Sequence, residues 1–265
     1  MEKVNVFTLL EKVRAQKPVV HHLTNWVTIY DCAQIVKSLG ASPVMAHAKE
    51  EVGDMAKIAS CLVLNIGTLT VEFIDAMKLA ARSANEKGIP VILDVCGAGA
   101  TRLRDIKSLE LLSDAKIDVI KGNSSEIAKI AGENVRTKGV DAGKVEKDLE
   151  SVAKDLVRKY NCTVVITGKD DIVADMHKFY VVGNGHVMMT HVVGTGCMAA
   201  SVIGTFCAIE KDYAMASAAA LSCFGIAAEC AAKKAKGPME FKQKLFDCIY
   251  SLDKKTVTRL QKIRE

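Results

Sequence analysis

Between residues 6 and 119 the chain repeatedly alternates short apolar runs with longer segments of helical pattern. The apolar runs cover residues 18–22, 43–45, 61–66, 90–94 and 118–120. After the third run, apolar residues recur at the spacing of one helix face, at Phe73, Ile74, Met77, Ala80 and Ala81. Buried strands that alternate with amphipathic helices form a parallel sheet covered by helices, so this pattern predicts an α/β fold.

The middle of the chain departs from this alternation. After a predicted helix from about Lys144 to Tyr160, three apolar runs follow one another, separated by polar residues typical of turns. They cover residues 162–167, 172–175 and 178–182. The first is a further buried strand, and the other two are predicted to be antiparallel strands at the edge of the sheet.

From Cys197 onward the pattern is almost wholly helical, and it finishes with an amphipathic segment that contains Val257, Leu260 and Ile263. No stretch rich in Pro, Ser or Gly resembles a linker. Hydrophobic residues make up 49% of the 265-residue chain and charged residues 25%, which suits one large core. We therefore predict a single domain over residues 1–265.

The composition also argues against several locations and partners. Residues 1–5 lack the apolar region of a secretory signal, and the apolar segment from Ala214 to Ala228 is too short to cross a membrane. The nine cysteines form no C-x-x-C pair and several lie in apolar runs, which predicts reduced thiols in a soluble cytoplasmic protein. A net charge of +5, with few aromatic residues near the lysine clusters, argues against nucleic-acid binding.

Polar residues just past each apolar run are candidate site residues, because ligands bind at the carboxyl ends of parallel strands. Asp94 ends one run and precedes a glycine-rich loop over residues 97–101. Its carboxylate suits magnesium, which prefers hard oxygen ligands and takes few of them from protein. An equally good explanation is that Asp94 satisfies the amides of the glycine loop.

The next run is followed by Lys121-Gly122-Asn123-Ser124-Ser125-Glu126. A helix-capping box explains Asn123 and Glu126 at this spacing without any function. The alternative is that Lys121 contacts nucleotide phosphate while Glu126 orients a magnesium-bound water. Local evidence favours the cap, but together with Asp94 and the later glycine turn from Gly194 to Cys197 this segment favours a phosphate site.

Three other strand ends carry candidate residues with two explanations each. Thr167-Gly168 either faces a nucleotide or belongs to an ordinary hairpin turn. Asn25 either hydrogen-bonds a heterocycle or hydroxyl group, or caps a helix that begins at Trp26. Met45 either packs on an aromatic ring of a ligand or lies in the core.

A glycine turn at Gly194-Thr195-Gly196-Cys197-Met198 precedes a long helix of small residues. Glycine permits positive φ, and the first amides of a helix lack internal partners, so such a turn attracts a phosphate or an oxyanion. A helix start also lowers the pKa of a thiol, which makes Cys197 a candidate base or nucleophile. Taken alone, the glycines favour the simpler explanation of a tightly packed helix start.

Two common nucleotide-binding motifs do not account for this turn. The spacing G-x-x-x-x-G-K-[ST] occurs nowhere, which excludes a Walker-type ATPase by motif. Gly194-x-Gly196-x-x-Ala199 matches a dinucleotide fingerprint, but that fold needs a second parallel strand with an acidic residue about twenty residues later. Here the helical pattern continues past Asp212, which disfavours a dehydrogenase.

Taken together and in chain order, these segments closely resemble the hydroxyethylthiazole kinase family of ribokinase-like enzymes, and the resemblance spans nearly the whole chain. The segments are Asn25, Met45, Asp94 with its Gly-Ala-Gly-Ala-Thr loop, Lys121 to Glu126, Thr167-Gly168 and Gly194 to Cys197. The Gly-Thr-Gly-Cys turn is the most specific of them, since ribokinase relatives usually have aspartate where this chain has Cys197.

The resemblance implies a ribokinase-like three-layer sandwich that uses ATP and Mg²⁺ to phosphorylate the hydroxyl group of 4-methyl-5-(2-hydroxyethyl)thiazole for thiamine synthesis. The family pattern places the thiazole against Asn25, Met45 and Gly194, and ATP against Lys121 and Thr167. With the residue patterns above, we also expect Cys197 to be the catalytic residue, Asn123, Gly168 and Gly196 to bind the nucleotide, and Asp94 and Glu126 to bind the metal. It also implies a homotrimer with sites between subunits.

The chain departs from the family pattern at three places. Val95-Cys96 follows Asp94 where the family usually has proline, which puts the shape of that loop in doubt. Lys121 stands where arginine is common, which keeps the charge but loses the forked phosphate contact. Val193 stands where threonine is frequent before the glycine turn, which puts a hydroxyl contact in doubt but not the anion-binding turn itself.

Four other functions stay open at this point. Two are ribokinase-like activities: a hydroxymethylpyrimidine kinase and an ADP-forming dehydratase that repairs hydrated nicotinamide cofactors. The third is a binding protein for thiamine precursors that lacks catalysis, although such a protein has no need for Asp94, Lys121, Glu126 and Cys197 together. The fourth is a cysteine hydrolase, for which no motif places a histidine near Cys197.

Overall fold

A computed structural model describes residues 4–133 and 148–265 of the chain. The strands are β1 (Val19–Leu23), β2 (Ser42–Val44), β3 (Cys61–Asn65), β4 (Val91–Asp94), β5 (Val119–Asn123), β6 (Thr163–Thr167), β7 (Asp171–Ala174), β8 (Phe179–Val182) and β9 (Ile263–Arg264). The helices are α1 (Val6–Gln16), α2 (Ile29–Leu39), α3 (Val52–Ile58), α4 (Val71–Lys87), α5 (Arg102–Asp114), α6 (Ser124–Ile130), α7 (Leu149–Tyr160), α8 (Thr195–Cys207), α9 (Tyr213–Ala232), α10 (Pro238–Tyr250) and α11 (Lys254–Leu260), with a 3₁₀ turn at Val187–His191. The predicted start of α7 near Lys144 lies outside the described residues.

These strands form one sheet in the order β2-β1-β3-β4-β5-β6-β7-β8-β9. Strands β1 to β6 are parallel, and β7, β8 and β9 continue the sheet in antiparallel pairs. One apolar core lies between the sheet and α1, α2, α8, α9 and α10, and a second lies between the opposite face and α3 to α7. The predicted three-layer α/β architecture with antiparallel edge strands is therefore confirmed.

Helix α4 illustrates why these segments fold as they do. Thr70 caps its first turn, Gly88 ends it in the left-handed conformation, and the five apolar residues predicted to share one face are all buried. Helix α9 is long and apolar enough to cross a membrane, but 83% of its most apolar stretch is buried inside the fold, as in a core helix. Helix α9 is thus longer than the apolar segment from Ala214 to Ala228 that the sequence pattern indicated.

Two local predictions are wrong. The chain does not stay helical to its end, because Ile263 lies in β9 and pairs with Val182 of β8. The helix after β1 begins at Ile29 and not at Trp26; Asn25 still acts on that segment, since its Oδ1 accepts the Thr28 N–H at 3.1 Å.

Candidate active site

A row of polar side chains crosses the carboxyl ends of three neighbouring strands. Asn65 of β3 is in register with Asp94 of β4, and Asp94 is in register with Lys121 of β5. The Asn65 Nδ2 donates to Asp94 Oδ2 at 2.8 Å, and the Lys121 Nζ lies 3.2 and 3.3 Å from the two Asp94 oxygens. All three side chains are buried. Strand register therefore brings together residues that are far apart in the sequence.

Cys197 lies beside this row, in the first turn of α8. Its Sγ accepts hydrogen bonds from Asn25 Nδ2 at 3.2 Å and from Asn65 Nδ2 at 3.4 Å. A further hydrogen bond, from Cys96, is the main reason that the pKa of Cys197 is lowered to about 7, and burial opposes it. The sulfur is thus surrounded by donors, which favours the thiolate.

The glycine turn before α8 packs tightly against the segment that follows β1. Gly194 has φ +95°, and a Cβ at this position would lie 2.6 Å from Thr28 Cγ2. A Cβ at Gly196 would lie 3.4 Å from the Lys121 Nζ. The free amides of the α8 N-terminus and the Lys121 ammonium therefore face the same small space, which suits an anionic group.

Glu126 and the capping of α6 complete a buried charge cluster. The predicted capping box is present: Asn123 Oδ1 accepts the Glu126 N–H at 3.0 Å, and Glu126 Oε2 accepts the Asn123 N–H at 2.7 Å. The other Glu126 oxygen accepts the Gly97 N–H at 2.6 Å, which ties the glycine loop to α6. Both explanations offered for Asn123 and Glu126 hence remain compatible with the geometry.

The charges of this cluster do not balance. Burial lowers the pKa of Lys121, but Asp94 and Glu126 outweigh burial and hold it above its ordinary value. Burial raises the pKa of the Glu126 carboxyl, and Lys121 opposes that shift. Burial raises the pKa of the Asp94 carboxyl as well. The cluster thus holds two buried carboxyl groups beside one ammonium, and a bound cation would favour their ionised forms. Within residues 4–133 and 148–265 no group of three or more His, Cys, Asp or Glu side chains is arranged around a metal site.

A cavity of about 790 Å³ opens next to this cluster. Its walls are the β6–β7 hairpin, the segment after β8, the first turns of α8 and the middle of α9. The lining residues include Thr167, Gly168, Asn184, Thr195, Gly196 and Phe224. Helix α9 approaches the wall closely, because a Cβ at Gly225 would lie 2.6 Å from the Asn184 carbonyl oxygen. The cavity is large enough for a nucleotide-sized ligand.

Comparison with known proteins identifies the family to which this architecture belongs. Residues 10–255 match the model of the hydroxyethylthiazole kinase family. A hydroxyethylthiazole kinase of Methanosarcina mazei is 52% identical over 256 residues, which cover 97% of this chain and 98% of the relative. The chain belongs to the hydroxyethylthiazole kinase family. It is therefore a kinase.

Solved structures agree with this family and with the fold. The hydroxyethylthiazole kinase of Pyrococcus horikoshii OT3 superimposes with a TM-score of 0.90 at 40% identity, over 98% of both chains. A ribokinase-like superfamily protein of Enterococcus faecalis superimposes with a TM-score of 0.64 at 14% identity, over 92% of this chain and 94% of that one. The fold of the kinase is thus ribokinase-like.

The structure brings most of the predicted site residues into two neighbouring groups. Asn25, Asp94, Lys121 and Cys197 form the polar cluster, with Gly194 and Glu126 at its margins. Thr167, Gly168 and Gly196 line the cavity. Met45 is half-buried and follows β2 at the edge of the sheet. Its side chain makes no described hydrogen bond to either group.

Two further residues support the site, and neither is among those predicted from the sequence. Asn65 contacts Asn25, Asp94 and Cys197. It is a polar residue at the end of β3, so the rule that selected Asp94 at the end of β4 also applies to it. Arg104 donates to the carbonyl oxygens of Ile66, Gly67 and Cys96 at 2.9, 2.7 and 3.0 Å, and so clamps the loops after β3 and β4. Nothing in its local sequence distinguishes Arg104 from a surface residue of α5.

The contact between Cys96 and Cys197 predicts how the thiol responds to pH. Because the pKa of Cys197 is about 7, its thiolate fraction and its alkylation by iodoacetamide should rise as the pH increases through 7. Replacing Cys96 with valine removes the largest cause of the lowered pKa, so the alkylation midpoint should move to higher pH. Mass spectrometry of the Cys197 peptide measures the extent of alkylation at each pH. Cys230→Val is the control, because it removes another half-buried thiol. An unchanged alkylation midpoint in Cys96→Val would contradict the prediction.

Proposed function

We propose that this kinase transfers the γ-phosphoryl group of ATP to the hydroxyl group of 4-methyl-5-(2-hydroxyethyl)thiazole, giving the thiazole phosphate used in thiamine diphosphate synthesis or salvage. The observation that carries the proposal is the position of Cys197. It lies at the start of α8, between two amide donors, and the neighbouring Gly196 approaches Lys121. The full-length similarity to proteins named hydroxyethylthiazole kinase supplies the substrate class.

The thiazole alcohol is placed against Asn25, Met45, Gly194 and Cys197. The two hydrogens of the Asn25 amide point to Asn65 Oδ1 and to Cys197 Sγ, so its amide is fixed beside the sulfur. Met45 supplies a polarisable apolar surface suited to an aromatic ring. The alcohol oxygen then lies close to the sulfur and to the amides of the glycine turn.

ATP is placed in the cavity beside the β6–β7 hairpin. Thr167 and Gly168 line the cavity on one side and Gly196 on the other, and Gly196 also adjoins Lys121. Asn123 caps α6 at the end of β5 and keeps Glu126 and the glycine loop in place. In this arrangement Lys121 neutralises charge on the β- and γ-phosphates, which is the main requirement of phosphoryl transfer.

Asp94 and Glu126 are proposed to bind Mg²⁺, and their surroundings fit that ion. Asp94 and Glu126 are two buried carboxyl groups beside one ammonium, and both oxygens of Glu126 already accept backbone amides. Because Mg²⁺ gives up its hydration shell reluctantly, Glu126 is expected to contact it through water. When bound, the ion supplies neutralisation of phosphate charge.

In the proposed reaction the amides of the glycine turn, Cys197 and the two asparagines each have a different role. The amides of the turn from Gly194 to Cys197 hold the transferring phosphoryl group through hydrogen bonds that are already oriented. As the alcohol oxygen bonds to phosphorus and the bond to ADP breaks, the alcohol proton passes to Cys197 Sγ. Asn25 and Asn65 hold that sulfur in the acceptor position before the proton arrives.

The direct test is ADP release from ATP and Mg²⁺ with and without the thiazole alcohol. We expect release to depend on the thiazole and to stay near background with hydroxymethylpyrimidine or a simple sugar. Cys197→Ala should lower the rate by roughly 10²-fold, whereas Cys197→Asp should retain or raise it, since a carboxylate also accepts a proton. No thiazole-dependent ADP would refute the substrate, and full activity in Cys197→Ala would refute the proton acceptor.

The kinase is further proposed to be a soluble cytoplasmic homotrimer whose substrate sites lie between subunits. An apolar surface beside the site supports the assembly: Trp26 is 49% exposed, and Val27, Tyr30 and Val193 are between 67% and 72% exposed. These residues adjoin Asn25 and Gly194, so a neighbouring subunit that covers them also encloses the thiazole. Sedimentation equilibrium measures the assembly, and a monomer would contradict it.

A further inference from the structure

We propose that Asn65 is a positioning residue of the phosphoryl transfer, which fixes Cys197 and Asp94 relative to each other through the two hydrogens of a single amide. The inference rests on the proposed function, because it takes Cys197 as the proton acceptor and Asp94 as the partner of Lys121, which faces the phosphates. Asn65 touches neither substrate in this arrangement and acts only through its neighbours.

The Asn65 amide uses all of its hydrogen-bonding capacity inside the site. Its Nδ2 donates to Asp94 Oδ2 at 2.8 Å and approaches Cys197 Sγ at 3.4 Å. Its Oδ1 accepts from Asn25 Nδ2 at 3.0 Å and from the Gly67 N–H at 2.9 Å. An amide offers two donors and two acceptor positions, so every one is occupied, and the side chain is only 1% exposed.

These partners determine which way the amide faces. Turning it over would point its oxygen at the Asp94 carboxylate and at the sulfur, and its NH₂ group at the Gly67 N–H. That arrangement sets acceptor against acceptor and donor against donor. Asn25 is fixed in the same way, because its Oδ1 accepts from both the N–H and the hydroxyl of Thr28. Both asparagines therefore present N–H groups to Cys197.

The consequence is a rigid link between two chemical groups on different elements. Cys197 belongs to α8 and Asp94 to β4, and Asn65 of β3 is a hydrogen-bond donor to both. Asp94 in turn holds Lys121. The sulfur that takes the proton and the pair that faces the phosphates are thus kept at a fixed separation, which phosphoryl transfer requires of its reacting groups.

The test uses two variants and a matched control. Asn65→Asp keeps the shape and the acceptor but removes both donors and sets a second carboxylate against Asp94. Asn65→Ala removes every contact without adding charge. Asn85→Asp is the control, since Asn85 exchanges hydrogen bonds with the backbone of Lys116 on the surface, away from the site. Circular dichroism and thermal melting establish that each variant is folded.

Two readouts separate positioning from a merely structural role. The first is steady-state kinetics, in which kcat should fall by about 10-fold in Asn65→Ala and by about 100-fold in Asn65→Asp while the KM for ATP changes little. The second is the alkylation of Cys197 by iodoacetamide at one fixed pH without substrates. Its rate should decrease in the order wild type, Asn65→Ala, Asn65→Asp, with the control equal to wild type.

Wild-type alkylation rates in both Asn65 variants, or kcat within threefold of wild type in Asn65→Asp, would overturn the inference. Loss of the fold in both variants would also overturn it, because Asn65 would then serve the fold alone. If the wild-type protein shows no thiazole-dependent ADP release, the proposed function fails, whereas the alkylation order still decides whether Asn65 sets the environment of Cys197. The two failures are therefore distinguishable.

Discussion

Replacing Lys121 with methionine is expected to lower kcat by roughly 10²–10³-fold and to destabilise the fold by about 3–5 kcal/mol. The ammonium is buried with Asp94, whose side chain is only 1% exposed, so its removal leaves a carboxylate without its partner in the interior. It also removes the positive charge proposed to face the phosphates. Urea unfolding followed by circular dichroism measures the first effect, and ADP release at saturating substrates measures the second.

Three comparisons make the Lys121 experiment decisive. Lys121→Arg keeps the charge and should retain most of the stability and activity. Lys57→Met removes an exposed partner of Asp54 and should cost less than about 1 kcal/mol. Adding Asp94→Asn to Lys121→Met should restore part of the stability but none of the activity. A folded Lys121→Met protein with kcat within tenfold of wild type would contradict the role of this lysine.

Replacing Gly194 with alanine is expected to lower kcat by roughly 10²-fold, because small displacements of reacting groups have effects of this size. The new Cβ would meet Thr28 Cγ2 at 2.6 Å, and the residue would keep an unfavourable φ of +95°. Relief of the contact moves the glycine turn, and the amides of α8 then no longer point to the proposed position of the transferring phosphoryl group. Steady-state kinetics with ATP and the thiazole alcohol measure the loss.

Gly88→Ala provides the matched control for Gly194→Ala. Gly88 also has positive φ, at +76°, but no atom lies within 4 Å of its Cβ position. It should lose about 1 kcal/mol of stability and no activity. In the double variant Gly194→Ala with Thr28→Ser, the clashing methyl group is absent and activity should recover in part. Equal kcat in Gly194→Ala and Gly88→Ala would show that the contact with Thr28 is unimportant.

The parallel half of the fold is predictable because its signals are local. Each buried strand is a short apolar run, and α4 carries a full apolar face with a cap at each end. The pattern at the end of the chain predicts a helix that includes Ile263, whereas the structure places Ile263 in a strand. A two-residue strand has too few residues to show periodicity, and β9 exists because Ile263 and Arg264 pair with β8, which is distant in sequence.

The candidate site is only partly predictable, because its geometry also depends on contacts between residues that are distant in the sequence. Asp94, Lys121 and Glu126 follow apolar runs or belong to a capping pattern, so their positions at the strand ends follow from the sequence. Their mutual distances do not, because strand order and register decide which of them meet. Arg104 is the clearest omission. Its importance comes from three carbonyl groups on two loops, and backbone acceptors leave no trace in sequence.

Arg104 couples the motions of two loops beside the site. Its guanidinium binds the loop after β3 through Ile66 and Gly67, and the loop after β4 through Cys96. Neither loop can leave its place without breaking contacts that also restrain the other. The two loops should therefore exchange their amide hydrogens as one cooperative unit, and a ligand that orders one loop should also slow exchange in the other.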